Sequence, residues 1–331
     1  MSIEPMRHRF KHHHGFDPYY GYDLAQLLAV DAPIAPSDFA DYWQARHARV
    51  IAHDPCPHVH FTGTHGRWRV FDFHFRGADN VELGGWMLLP RYQTPSHVWV
   101  IGHGYGGRES PDWHWPLHDA ALFFPCARGF GRSRVPGVPH EANQHVLYGI
   151  EDRDRYVLGL CVDDLWLAVQ AARQLLPELG WIGYAGISFG GGLGALAAPW
   201  EPLIQGVYLN VPSFGHWPLR LVLPTVGSGA AVQAYVHQHG HAPDTLDYYD
   251  AASAAHFAHA PLLAALARFD PAVAPPGQFA VFNAWAGSKA LDLLSAGHFD
   301  YPQRLREELR LNRLLLYWFE NRFENVRHRI P

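Results

Sequence analysis

The chain has 331 residues, 48% of them hydrophobic and 14% aromatic, which is enough apolar material for a large core. Its formal net charge of −5 argues against binding to nucleic acid or to an anionic membrane surface. Cys56, Cys126 and Cys161 are an odd number without metal-like spacing, so we expect reduced thiols in a cytoplasmic protein. The sequence has no apolar run of transmembrane length, and we expect no membrane contact.

The first 35 residues read as an N-terminal arm that is polar, aromatic and rich in histidine, and irregular over residues 1–20. His8 and the run His12, His13 and His14 could chelate a metal loosely, which would suit a metal-binding or sensing protein. These residues lack the geometry of a closed metal site. We therefore favour a disordered histidine-rich tail and predict neither a metal nor a cofactor.

A helix is predicted to follow the arm, since Ser37 is a good N-cap and Phe39, Trp43 and Val50 share one face. The next region has alternating or β-rich patterns, which are typical of antiparallel strands. Three such segments are predicted: 58–62, 67–75 and 83–89.

The pattern then changes to continuous apolar runs that end in glycine-rich loops. Residues 98–101 precede the loop 103–107, and residues 121–124 precede the loop 128–133. Such runs indicate a parallel sheet that is covered on both faces. We therefore predict an α/β fold with a mostly parallel central sheet, helices on both faces, and an N-terminal helical and antiparallel extension.

Residues 36–331 are predicted to form a single domain, because no linker or repeat divides them. Weak periodicity over residues 214–258 is interpreted as a helical insertion over the strand ends. The other predicted elements of the second half are helix 154–176, strands 181–185, 203–211, 261–269 and 289–294, and helix 303–319.

The most informative motif is Gly186-Ile187-Ser188-Phe189-Gly190, which has the form G-x-S-x-G. A short apolar strand precedes it, and small residues that let a helix pack closely follow it. This context is typical of the nucleophile elbow of α/β-hydrolases. The two glycines allow the backbone to approach a strained turn at Ser188. We predict that Ser188 is a catalytic nucleophile.

A serine hydroxyl needs a base within hydrogen-bond reach and an acid that orients that base. In this fold the acid and then the histidine follow the serine along the chain, each after a strand. Asp270 and His298 fit these places and complete the predicted triad. Asp292 is a weaker candidate because it lies within a strand, and Asp300 is weaker because it lies too close to His298.

An oxyanion hole needs two backbone N–H donors. We predict that Phe189, the residue after the nucleophile, supplies one, and that Tyr105 in the loop 103–107 supplies the other. His103 in the same loop is expected to stiffen it by hydrogen bonding rather than to act as a second base.

Several segments together resemble, in order, the acetyl xylan esterase / cephalosporin C deacetylase family, carbohydrate esterase family 7. The resemblance covers about residues 36–320. The matching segments are 38–43, 85–90, 104–108, 128–133, 186–191, 211–212, 270–283 and 297–298.

The resemblance implies an acylated small molecule as substrate and a homo-oligomer, a hexamer with enclosed active sites. It places Pro212 in the acyl pocket, and Phe214 follows closely in sequence. Three residues depart from the family pattern, because Phe130 and Phe189 replace glutamines and Phe299 replaces a glutamate.

We therefore predict a serine carboxylesterase that hydrolyses small acyl esters, acetyl above all, of sugars or related alcohols through an acyl-enzyme. Another α/β-hydrolase activity, that of a peptidase, an amidase or a general carboxylesterase, is the alternative. A peptidase is less favoured because the sequence has no recognisable anchor for a peptide terminus. A catalytically inactive scaffold is less favoured because the triad and both oxyanion loops are complete.

Overall fold

A mixed sheet of nine strands runs through the structure, a computed structural model that describes residues 10–321. The strands are β1 (His58–His65), β2 (Trp68–Arg76), β3 (Glu82–Pro90), β4 (His97–Gly102), β5 (Ala120–Pro125), β6 (Ile182–Ile187), β7 (Ile204–Asn210), β8 (Leu262–Ala267) and β9 (Lys289–Leu294). Their spatial order is β1-β2-β3-β5-β4-β6-β7-β8-β9. The pairs from β1 to β5 are antiparallel, and the pairs from β5 through β4 to β9 are parallel.

Helices cover both faces of this sheet. They are α1 (Leu24–Leu27), α2 (Phe39–Ile51), α3 (Ala142–His145), α4 (Val157–Leu175), α5 (Phe189–Ala197), α6 (Trp217–Val222), α7 (Ser228–His239), α8 (Thr245–Tyr248), α9 (Ala251–Ala255), α10 (Pro275–Ala284) and α11 (Arg304–Glu320). One apolar cluster packs α4, α5, α9 and α10 against the sheet, and a second packs α11 against its other face. The predicted α/β-hydrolase fold is confirmed. No helix within residues 10–321 is long and apolar enough to cross a membrane.

Helix α4 is largely buried, and its sequence explains why. Most of its residues are apolar, and they occupy every side of the helix, as expected for a helix that other elements enclose. Asp163 and Asp164 are exceptions, and both are buried. Arg46 from α2 and Arg128 from the loop after β5 bind these carboxylates at 2.7 and 2.8 Å. Paired charges therefore fasten α4 to two neighbouring segments.

One prediction of local structure is wrong, and one helix near the site was not predicted. Ser37 does not cap α2, because the helix begins after Asp38 and no side chain caps it. The Asp38 carboxylate instead accepts a hydrogen bond from Tyr248 Oη at 2.5 Å. Helix α10 was not predicted, because its residues are almost all apolar and give no helical periodicity. Residues 214–258 hold α6 to α9.

The prediction of a disordered tail is wrong for the part of the arm that the structure describes. The Asp270 backbone N–H donates to the Pro18 carbonyl at 3.1 Å. Tyr20 Oη donates to Pro224 O at 2.9 Å and to Asp270 O at 3.3 Å. The Phe10 ring makes an edge contact with Phe269 at 5.2 Å between centroids. Residues 10–22 therefore pack on the loop that follows β8.

The histidines of the arm do not form a metal cluster within the described residues. The rings of His12 and His14 lie 5.6 Å apart, and His12 also contacts Phe269. No group of three or more His, Cys, Asp or Glu side chains in residues 10–321 could hold a metal ion. His8 lies outside the described residues.

Candidate active site

Ser188 lies at a sharp turn between β6 and α5. Its backbone has φ 54° and ψ −113°, a conformation that costs free energy for a residue with a side chain. A Cβ on Gly186 would lie 2.4 Å from the Gly190 carbonyl oxygen, and one on Gly190 would lie 2.8 Å from the His103 oxygen. Both positions of the G-x-S-x-G motif therefore require glycine for steric reasons.

The structure brings the three predicted triad residues together in one hydrogen-bonded chain. His298 Nε2 lies 2.7 Å from Ser188 Oγ, and His298 Nδ1 lies 2.8 Å from Asp270 Oδ2. The three side chains follow β6, β8 and β9, whose carboxyl ends meet at one edge of the sheet. Ser188 and Asp270 are buried. This geometry can transfer a proton from the serine to the imidazole.

The Asp270 carboxylate is held by four donors. Oδ1 accepts from the backbone N–H groups of Ala272 and Val273, both at 2.9 Å. Oδ2 accepts from Gln278 Nε2 at 3.0 Å as well as from His298. Gln278 lies on α10, the helix that the sequence did not reveal, so its position beside the acid was not predictable.

The pKa of His298 is set by opposing influences. Burial lowers it, but the charge of Asp270 and its hydrogen bond raise it by more, so the pKa of His298 lies above 6.5. The positive charge of Arg220 acts in the same direction as burial. Because a histidine must be neutral to accept a proton, a reaction that uses His298 as its base would slow as the pH falls through this raised pKa.

Tyr105 lies in the loop after β4, and Phe189 directly follows Ser188. Phe189 is the first residue of α5, and Gly190 N–H ties this helix to the His103 carbonyl at 2.9 Å. The backbone N–H groups of Tyr105 and Phe189 donate no hydrogen bond to residues 10–321. Their rings stack at 4.1 Å between centroids, which fixes the two loops relative to each other.

His103 stiffens the loop after β4, as expected. Its Nε2 accepts from the Ala127 backbone N–H at 2.9 Å, so Nδ1 carries the proton and donates to the Gly104 carbonyl at 2.7 Å. Burial, with a smaller contribution from Arg108, lowers the pKa of His103 to about 4. The ring is therefore neutral, and both nitrogens are occupied.

Two of the three phenylalanines that depart from the family pattern, Phe130 and Phe189, belong to one aromatic cluster. Phe130 lies 6.0 Å from Phe189 and 4.8 Å from His145, measured between ring centroids. His145 is buried and its Nε2 bonds to the Arg128 carbonyl at 2.9 Å. Packed rings therefore stand at the two positions where the family pattern has amide side chains.

The two predicted pocket residues lie deep in this region. Pro212 and Phe214 are buried, and the Phe214 ring contacts the edge of Phe189 at 6.0 Å and of Tyr105 at 6.4 Å. Neither lines the groove of about 440 Å³ that opens beside His298. The sequence did not reveal this groove, which lies at the surface. Its lining includes residues of β6, of the loop after β9 and of α11.

Comparisons with known proteins agree with this architecture. A sequence model of the acetyl xylan esterase family matches residues 29–313. The structure is similar to an acetyl xylan esterase from Paenibacillus sp. R4, with 22% identity over 88% of this chain and 99% of that one, and a TM-score of 0.74. Acetyl xylan esterase 1 from Thermoanaerobacterium sp. JW/SL YS485 is 20% identical over 91% of this chain and 100% of that one, with a TM-score of 0.76.

More distant structures share the fold. An acylaminoacyl peptidase from Pyrococcus horikoshii is 15% identical to this chain, with a TM-score of 0.61. The match covers 80% of this chain and 43% of the peptidase. A comparison with curated protein sequences found no match. At these identities the solved structures establish the shared fold, and the family match extends to most of the chain.

Proposed function

This chain belongs to the acetyl xylan esterase family and is a serine ester hydrolase, and we propose that Ser188, His298 and Asp270 carry out its reaction. The observation that supports this assignment is the hydrogen-bonded chain from Asp270 Oδ2 through His298 to Ser188 Oγ. Its substrate is a small acylated molecule, and we propose that the acyl group is acetyl on a sugar or a related alcohol.

The proposed reaction begins at the serine oxygen. Ser188 Oγ attacks the carbonyl carbon of the ester while His298 Nε2 takes the hydroxyl proton. The carbonyl electron pair moves to its oxygen, which accepts hydrogen bonds from the backbone N–H groups of Tyr105 and Phe189. Asp270 stabilises the imidazolium through Nδ1, as its 2.8 Å hydrogen bond allows.

The tetrahedral intermediate then collapses. The alcohol leaves with the proton of His298, and an ester of the acyl group with Ser188 remains. Water attacks this ester, His298 takes the water proton, and the acid is released as the serine recovers its hydrogen.

We propose that Pro212 and Phe214 limit the acyl pocket, so that acetyl esters are preferred over butyryl esters and longer chains. Both residues are buried behind the turn that carries Ser188. A methylene group that finds apolar room gains about 0.8 kcal/mol, whereas overpacking costs about 1–3 kcal/mol. With rigid rings at Phe214, Phe189 and Tyr105, the cost should exceed the gain.

A series of aryl esters from acetate to octanoate tests this proposal. Values of kcat/KM are expected to be highest for acetate and to fall with chain length. Values that rise steadily to octanoate would indicate an open cleft and a general carboxylesterase. An acyl-amino-acid anilide in the same series tests the peptidase alternative, because its efficient hydrolysis would favour amide substrates.

We also propose a cellular location, an oligomeric state and one specific substrate. Three free cysteines, with Cys56 exposed, suit a reducing compartment, so we propose a cytoplasmic location. The family resemblance supports a hexamer and activity on acetylated antibiotics such as cephalosporin C. Light scattering of the purified chain tests the hexamer, and hydrolysis of cephalosporin C tests the substrate.

A further inference from the structure

Arg220 is a buried cation beside the active site that the reaction described above does not use. It lies on α6, and only 7% of its surface is exposed. Its guanidinium carbon lies 5.0 Å from the centre of the Trp217 ring and 5.7 Å from that of Phe214. Phe214 in turn contacts Phe189 and Tyr105. One aromatic ring therefore separates this charge from the oxyanion loops.

The hydrogen-bonding groups of Arg220 have no partner in the described part of the chain. Its side-chain nitrogens donate no hydrogen bond to residues 10–321, and its Nε is fully buried. The aromatic rings lie beside the guanidinium but cannot satisfy its N–H groups. A buried guanidinium with unmet donors is costly, and a methionine would fill the same space without that cost.

The nearby carboxylates do not supply the missing partner, because their hydrogen bonds go to other donors. Asp250 accepts from the backbone N–H groups of Trp217, Ala252 and Ser253 at 2.6 to 3.0 Å. Asp270 is held by four donors, as described above. Neither carboxylate comes within 4.0 Å of an Arg220 nitrogen.

The charge of Arg220 nevertheless acts on the catalytic residues. It lowers the pKa of His298 and of Tyr20, and Tyr105, Asp250 and Asp270 act on it in return. Since an arginine stays protonated in proteins, a positive charge lies against Phe214, whose ring contacts Phe189 and Tyr105. An anionic group on a bound substrate would find both a partner for its charge and unused N–H donors.

We propose that Arg220 binds a carboxylate of the substrate, close to the ester that is cleaved, and so selects acidic esters. The planar guanidinium edge matches the two oxygens of a carboxylate. That carboxylate can belong to the acyl group, as in a half-ester of a dicarboxylic acid, or to the alcohol, as in an acylated uronic acid. This inference rests on the proposed function, because it places the carboxylate relative to Ser188.

Two matched pairs of esters distinguish these sources. Methyl hydrogen succinate is compared with methyl butyrate for a charge on the acyl group. The acetylated methyl glycoside of glucuronic acid is compared with that of glucose for a charge on the alcohol. In each pair the ratio of kcat/KM for the charged ester to that for the neutral ester is the readout, measured by titration of released acid.

In the wild-type enzyme one of the two ratios is expected to exceed one. Arg220→Met should lower that ratio by roughly 10- to 100-fold, the equivalent of a lost hydrogen bond to a charged group. Arg220→Lys should retain part of it, because the charge remains but the planar edge is lost. Arg304→Met is the matched control, since Arg304 is exposed and lines the groove beside His298.

Ratios that are the same in wild type and Arg220→Met would overturn the proposal, and so would a ratio that depends on Arg304 alone. Calorimetry on Ser188→Ala separates this inference from the proposed reaction, because it needs no turnover. Succinate or glucuronate should bind to the Ser188→Ala variant. Adding Arg220→Met to that variant should abolish the binding. Binding of inorganic phosphate but of neither carboxylate would contradict the assignment, whereas inactivity on every ester would contradict the proposed function.

Discussion

Two regions of the molecule bury charged side chains, and they treat them differently. Around α4, Arg46 and Arg128 form direct ion pairs with Asp163 and Asp164. Around α6, Arg220 is equally buried but has no carboxylate partner within residues 10–321. The first region uses charge to join elements of the fold, whereas the second leaves a charge beside the catalytic residues. The difference between the two regions therefore lies in whether a buried charge is paired, and we propose that the unpaired one binds substrate.

The ion pairs around α4 have nearly complete hydrogen bonding. Arg46 binds both oxygens of Asp163 at 2.7 and 2.8 Å. Arg128 binds both oxygens of Asp164 at 2.9 and 2.8 Å and also binds Asp79. Burial raises the pKa of Asp164 to about 6, even though Arg128 opposes that shift. Loss of one partner in this region should affect folding before it affects chemistry.

The largest effect is expected at the nucleophile. Ser188→Ala should lower kcat by roughly 10⁶-fold, as removal of a triad serine does elsewhere, while the thermal unfolding midpoint stays close to wild type. Assays with aryl acetate and a thermal melt measure both. Ser253→Ala, at another buried serine, is the control and should stay active. Hydrolysis at the wild-type rate by Ser188→Ala would rule out the proposed mechanism.

Asp270→Asn should lower kcat by about 10⁴-fold, because an amide cannot orient and stabilise the imidazolium in the same way. Asp292→Asn is the comparison, since Asp292 binds Arg310 at 2.8 Å, whereas His298 bonds to Asp270 and Ser188. Steady-state kinetics decide between them. If Asp292→Asn or Asp300→Asn costs more than Asp270→Asn, the assignment of the acid is wrong.

A substitution in the α4 region should lower the stability of the fold and leave the activity nearly unchanged. Arg128→Met leaves Asp164 buried without its partner and should lower the free energy of unfolding by about 3–5 kcal/mol. The activity of each folded molecule should change little. Denaturant unfolding and active-site titration measure these two quantities. The control is Arg132→Met, whose partly exposed pair with Asp72 should contribute no more than about 1 kcal/mol. Equal effects of the two variants would contradict the contrast between the regions.

A smaller effect concerns pH. The His298 pKa is raised, so kcat/KM should fall as the pH drops through a midpoint above 6.5. Arg220 opposes this shift, so removing its charge in Arg220→Met should move the midpoint to a higher pH. A pH–rate profile of the two proteins with a neutral ester tests the sign. A midpoint that moves to lower pH in Arg220→Met would show that Arg220 does not act on His298.

The triad was predictable because it depends on local patterns and on chain order. The G-x-S-x-G motif identifies Ser188, and the end of a predicted strand places Asp270 and His298 at the same edge of the sheet. The strands were also predictable to within a few residues, since the first three have alternating or β-rich patterns and the later ones have mostly continuous apolar runs.

The rest depended on contacts between distant parts of the chain. Tyr20 bonds to the Asp270 loop across 250 positions, and the apolar ring of Phe10 docks on Phe269. These contacts order the described part of the arm in spite of its polar composition. Arg220 is one of many arginines in the sequence, and only its burial without a partner distinguishes it.

The central claim is that an acyl group passes through Ser188. The most direct test is mass spectrometry of the protein quenched in acid during turnover of an aryl acetate. One acetyl group is expected on the peptide that contains Ser188, and Ser188→Ala should carry none. An acetyl group on another residue that turns over at the catalytic rate, or an active enzyme that never carries one, would contradict the account.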